Sequence, residues 1–271
     1  MKVYEKLDKL NVETDVDLEV KSYYSQKNVP TIVSVTGLGG CAGKDCVIDY
    51  LARDYQVVTF SPRNSGSSNG HLTLENYALD TLKVIDYVSQ IDGERPYGIG
   101  HSMGGYTLGR LLGEIPLVKK AVLLAPLIDI TEQNPDWFNN YIRNNINREK
   151  VPGAIQLGLF FSNNLFGFLG NQRFDQEDSL PFLKSLYNAS ECSNPLLCPT
   201  QVILAGRANN RFKIKNVFEL SSCWENLGAK VAIYSELNHW FSGVSHSGVG
   251  VPFSLCKKEG ITKIICDFFK D

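Results

Sequence analysis

Long apolar runs are missing from this chain: none of its 271 residues belongs to a stretch of the roughly 18 apolar positions that a membrane-spanning helix needs. The first residues, Met1 to Lys6, are charged, with no apolar h-region behind them. The expectation is therefore a soluble protein of the cytoplasm, with no membrane span. A surplus of either charge is lacking too. The 27 Lys and Arg nearly balance 29 Asp and Glu, for a net charge of −2, and no basic run stands out, which argues against nucleic acid as the main partner. Cysteine occurs at positions 41, 46, 192, 198, 223, 256 and 266, an odd number without C-x-x-C spacing. A metal cluster is not implied and free thiols are expected. Cys192 and Cys198 are close enough in sequence to bridge only in an exported protein, and the sequon Asn188-Ala189-Ser190 carries little without an export signal.

Strand-like runs alternate with helical ones. The strands read are Thr31–Val35, Gln56–Phe60, Tyr97–Ile99, Lys120–Leu124, Gln201–Leu204 and Lys230–Tyr234, with the alternating Val16–Lys21 as an antiparallel edge. Helices are read at Lys44–Arg53, Leu74–Gln90, Tyr106–Leu112, Val217–Leu227 and Ile261–Phe269. This rhythm predicts an α/β fold with a mostly parallel central sheet flanked by helices. Only 130–199 breaks it, a segment rich in Asn and aromatics that is too long for a structureless loop. It is read as an inserted helical cap on a core of 1–129 and 200–271, its apolar side facing either the sheet or a ligand.

Gly100-His101-Ser102-Met103-Gly104 falls between a short apolar strand and a helical run. A G-x-S-x-G in that place is a nucleophile elbow, a strand-to-helix turn so tight that only small residues fit beside the serine. The turn holds the hydroxyl clear of the backbone, at a helix N-terminus that favours negative charge. Such a hydroxyl needs a base that titrates near neutrality, which points to histidine. Of the four, His71 sits in a polar loop, His101 adjoins the serine inside the turn, and His246 lies in a Gly/Ser-rich loop where it can touch substrate. His239, just past the last strand, is the candidate base.

Four segments in order resemble those of serine α/β-hydrolases of the capped esterase and lipase kind. They are the elbow; Thr36-Gly37-Leu38-Gly39-Gly40, similar to an H-G-x-G-G oxyanion loop; Ser61-Pro62-Arg63-Asn64-Ser65-Gly66-Ser67-Ser68, similar to D-x-R-G-x-G-x-S with Ser61 and Asn64 departing from it; and Asn238-His239-Trp240-Phe241, similar to G-H-x-F. The resemblance implies an α/β-hydrolase fold in which Ser102 attacks a carbonyl, His239 moves the proton, and the N–H groups of Leu38 and Met103 hold the oxyanion. Gly37, Gly39 and Trp240 become substrate-binding positions, and no metal or organic cofactor is implied. The family's acid usually follows the strand at Gln201–Leu204, but Asn209 occupies that slot; an Asn there costs a serine protease on the order of 10⁴ in turnover. Asp129, beyond Leu124, is the substitute acid, with a helix N-cap as its other reading.

These residues predict hydrolysis of an ester, or of a thioester or amide, in a small and partly hydrophobic acyl substrate, through an acyl-enzyme. Two alternatives remain: a weakly active or inactive ligand-binding protein on the same scaffold, suggested by Asn209, Ser61 and Asn64, and acyl transfer by the same Ser-His pair to an acceptor other than water.

Overall fold

The computed structural model describes residues 3–37, 42, 47–126, 192–205, 217–234 and 255–271. Eight strands form one sheet in the order β1-β2-β4-β3-β5-β6-β7-β8. They are β1 (Tyr4–Glu13), β2 (Val16–Tyr24), β3 (Thr31–Val35), β4 (Gln56–Phe60), β5 (Tyr97–His101), β6 (Ala121–Leu124), β7 (Thr200–Ala205) and β8 (Lys230–Tyr234). The hairpin β1–β2 and the β2–β4 pair are antiparallel; every other pair is parallel. The described helices are α1 (Ile48–Leu51), α2 (Leu74–Asp92), α3 (Met103–Glu114), α4 (Val217–Asn226) and α5 (Leu255–Lys270).

Every residue of β3, β6 and β7 is buried, as expected for parallel strands covered on both faces. Their side chains alternate between two cores. Val33, Val35, Leu123, Val202 and Leu204 join one core with Tyr77 of α2, Tyr106 and Leu108 of α3 and Trp224 of α4. Ile32, Val122 and Ile203 join the other with Leu51 of α1 and Ile265 and Phe269 of α5. Helix α2 shows why its segment winds as it does. Thr73 caps it by accepting the Asn76 N–H at 3.1 Å, and Leu74, Tyr77, Thr81, Val84, Ile85 and Val88 bury one face at helical spacing.

The α/β architecture is therefore as the sequence predicts, with differences at the margins. Val16–Lys21 lies within an antiparallel strand, but that strand is the second of the sheet; the edge is β1, which the sequence reading passed over. Strand β5 continues to His101, where it meets the elbow, and α5 begins at Leu255 rather than Ile261. Among the described residues the helix expected from Lys44 begins at Ile48. The expected cap, 130–199, lies outside the described residues except for 192–199. No helix among the described residues is long and apolar enough to cross a membrane.

Candidate active site

Ser102 stands between the last residue of β5 and the first of α3, with φ 54° and ψ −117°. This backbone is rarely adopted by an L-residue, and it persists only where the surroundings enforce it. They do. The Ser102 N–H donates to the Leu124 carbonyl at the end of β6 (2.9 Å), and its own carbonyl accepts the Tyr106 N–H in the first turn of α3 (2.9 Å). A Cβ on Gly100 would come within 2.6 Å of the Gly104 carbonyl oxygen, and one on Gly104 would run into the carbonyl oxygens of Val35 and Thr36. The glycines at both ends of G-x-S-x-G are thus demanded by close backbone approach, and the turn is seated on the end of β3. Ser102 is half-exposed and Met103 almost fully buried. As the first residue of α3, Met103 has an N–H with no acceptor inside the helix.

The chain leaving β3 approaches the serine: a Cβ on Gly37 would lie 3.2 Å from Ser102 Cβ and 3.3 Å from His101 Nδ1. Hydrogen bonds fix the described residues on either side of the Gly-rich segment that follows, Thr36 and Ala42. At its start, the buried Tyr77 hydroxyl donates to the Thr36 carbonyl at 2.6 Å. Further on, the Ala42 N–H donates to Ser61 Oγ at 3.0 Å. Ser61 Oγ in turn donates to Glu19 Oε2 at 2.7 Å, and the Ser67 N–H reaches the same oxygen at 3.1 Å. Ser68 closes the cluster, accepting the Glu19 N–H and donating to the Ser61 carbonyl, both at 2.8 Å.

Beside it, Arg63 grips Asp80 with Nε and Nη2 (2.9 to 3.1 Å) and donates to Glu13 from Nη1 at 3.0 Å. Arg63 and Asp80 are both buried. Burial pushes the Asp80 carboxyl above the usual carboxylate range, against the pull of Arg63. The hydrogen bond from Arg63 holds Glu13 below that range.

A sequence-family model described as the alpha/beta hydrolase fold matches residues 30–206, a span that runs from β3 through the elbow to the end of β7. The chain belongs to the alpha/beta hydrolase fold family. No curated protein sequence gives a significant match. Among solved structures, the α/β hydrolase GrgF from Penicillium sp. sh18 is similar with a TM-score of 0.70 at 14% identity, covering 98% of each chain. The Pyrococcus furiosus esterase Pf2001 follows at 0.66 and 15% identity, covering 98% of this chain and 90% of its own. E-2-(acetamidomethylene)succinate hydrolase stands at 0.65 and 15%, covering 99% and 100%. At these identities the likeness is one of fold.

Within this hydrolase-fold chain, the described residues bring together Ser102, Met103 and Gly37. Leu38, Gly39, Asp129, Asn209, His239 and Trp240, like His246, lie outside them. The exits that lead to several of these are described: β6 ends at Leu124, β7 at Ala205 and β8 at Tyr234, all pointing the same way as β5 and following it in order across the sheet. Ligand sites of open parallel sheets gather at that carboxyl edge. His71 is exposed, as expected of a loop residue. Cys192 and Cys198 are not joined in a disulfide. Among the described residues no cluster of His, Cys, Asp or Glu could hold a metal.

Sequence reasoning missed Tyr77, Glu19 and the role of Ser61. Tyr77 falls on the apolar stripe of α2, where it reads as core, and Glu19 reads as the outward residue of an alternating strand. The departures at Ser61 and Asn64 also find an explanation. Ser61 bridges Glu19 to the Ala42 N–H, and Asn64 adopts φ 59°, a left-handed conformation that Asn tolerates better than most residues.

Proposed function

We propose that this protein is a serine hydrolase that cleaves an ester, or a related thioester or amide, of a small and partly hydrophobic substrate. The observation that carries the reading is the backbone of Ser102. A serine held at φ 54° between a parallel strand and the N-terminus of a 12-residue helix, with Gly37 against its Cβ, is costly to maintain and has no evident use in packing.

In this mechanism Ser102 Oγ attacks the substrate carbonyl carbon while His239 takes its proton. The oxyanion rests on the N–H groups of Met103 and Leu38. Collapse of the tetrahedral intermediate breaks the bond to the leaving group, which departs with the proton from His239. Water, deprotonated by the same imidazole, then releases the acid and restores Ser102. Asp129 orients His239, with Asn209 as the alternative. Gly37, Gly39 and Trp240 line the acyl site, and residues 130–199 cap a core of 1–129 and 200–271. No metal or organic cofactor enters any step. The hydrogen bonds of Ser61 and the positive φ of Asn64 give those two motif departures a structural reason, so of the three that suggest a ligand-binding scaffold only Asn209 is left to carry it.

A fluorophosphonate probe tests this without knowledge of the substrate, since it reacts only with an activated serine. The wild type is expected to label, and Ser102→Ala and His239→Ala to lose labelling. Whichever of Asp129→Asn and Asn209→Ala slows it more identifies the residue that orients the base. A folded wild type that never labels would overturn the assignment.

A further inference from the structure

On one side the sheet ends at β1, which among the described residues pairs with β2 alone. An edge strand turns every second N–H and C=O outward and so offers a template for another strand. Natural edges are blunted by charge, and β1 carries charge, but in an arrangement that matches itself. Its run is Tyr4-Glu5-Lys6-Leu7-Asp8-Lys9-Leu10, with Tyr4 49% and Leu7 59% exposed.

Laying a second copy antiparallel along it, with the two-fold axis at Leu7, sets Leu7 against Leu7. Lys6 then faces Asp8 of the second copy, Glu5 faces Lys9, and Tyr4 faces Leu10. Each pair falls on a common face, as the strand period requires. The rows continue into β2 with the same logic. Lys9 already lies beside Glu19, and Tyr4 beside Tyr24, its ring stacked on Tyr24 at 5.8 Å between centroids. A shift of the axis to Lys6 or to Asp8 would put two like charges face to face, so the charges favour the Leu7 axis over its immediate neighbours. The ion pairs that these side chains now make, Lys6–Asp8 at 2.8 Å on one face of the hairpin and Lys21–Glu5 at 3.0 Å on the other, are partly exposed and can be shared with a second strand.

We propose that the protein self-associates as a symmetric dimer through antiparallel pairing of its β1 edges, centred on Leu7, so that the sheet continues from one copy into the other. So short a ladder buries far less than the ~1,600 Å² of a standard stable interface, and the dimer is therefore reversible and concentration-dependent.

Charge reversal tests it in a way that separates pairing between copies from effects inside one. Lys6→Asp faces Asp8 of its partner with a like charge, and Asp8→Lys does the same to Lys6. Each variant alone is expected to raise the dimer dissociation constant by roughly tenfold or more in sedimentation equilibrium. An equimolar mixture regains association, because the two variants complement each other across the axis. Far-UV circular dichroism checks that each is folded, and Leu7→Lys, which places two lysines on the axis, replaces any variant that is not. Three results would each overturn the proposal. These are a wild type that stays monomeric at every concentration, single variants that associate as the wild type does (which points to β8 or another surface), and a mixture that fails to regain association.

Discussion

Gly104 lets two backbones pass at a distance that no side chain permits. Its Cα sits against the Val35 and Thr36 carbonyls, and those oxygens belong to β3 and to the segment that opens the Gly-rich loop, so neither can yield independently. Gly104→Ala is therefore expected to lose both stability, by about 1–3 kcal/mol or more, and fluorophosphonate labelling at Ser102. Urea denaturation and probe kinetics measure the two, and a variant as stable and as reactive as the wild type would refute this account of the elbow. The same contact explains why Ser102 was legible in the sequence, since the steric demand falls on the residues that make up G-x-S-x-G. Nothing comparable marks the acid. Asp129 and Asn209 come after β6 and β7 in the chain, strands that lie side by side in the sheet, and composition alone is left to choose between them.

At the scale of elements, α2 carries the least legible part of the site. Its apolar stripe predicts a helix packed on the sheet, and that is what forms, but Tyr77 on the stripe spends its hydroxyl on the Thr36 carbonyl at 2.6 Å. A pattern of apolar spacing cannot say what a buried phenol bonds to. Tyr77→Phe leaves that carbonyl without its donor, at a cost of about 1–3 kcal/mol, and frees the peptide from which the Gly-rich segment departs. Labelling of Ser102 is expected to slow by on the order of tenfold while the variant remains folded at room temperature. Unchanged labelling kinetics in a destabilised variant would reduce Tyr77 to packing. The hairpin shows the opposite limit. Strand β2 was readable because Leu18, Val20 and Ser22 are buried on one face, whereas β1 is exposed from Tyr4 to Leu7 and alternates only from Asp8 onward, where Leu10 and Val12 turn toward the core. Its charges are ordered instead by what lies beside it, Glu19 and Lys21 of β2.

At the scale of the molecule, the sheet separates two cores, and the second is closed by α5 at the end of the chain. Phe269 stacks on Tyr97 at 4.6 Å between centroids and meets Tyr55 edge-on at 6.1 Å, so this cluster joins the C-terminal helix to β5 and to the turn before β4. Burial pushes the Tyr55 phenol up from 10.0 to about 12. A phenol is neutral while protonated. Above pH 10 the unfolded chain therefore gives up this proton while the folded one retains it, and the unfolded state gains the advantage. Tyr55 thus costs nothing at neutral pH and erodes stability as pH rises from 10.0 toward about 12. The salt-bridged Lys6 and Lys21 are also raised by their carboxylate partners, and their contribution is lost over the same alkaline range, so the fall in melting temperature alone does not identify its source. Tyr55→Phe does. It keeps the ring against Phe269 and removes the titrating group, so its melting temperature is expected to fall less than that of the wild type across this window, while the two differ little at pH 7. Parallel melting curves would remove Tyr55 from the account and leave the alkaline loss to the other groups held above their usual values, the two lysines and, through burial, Tyr23, Cys198 and Cys266.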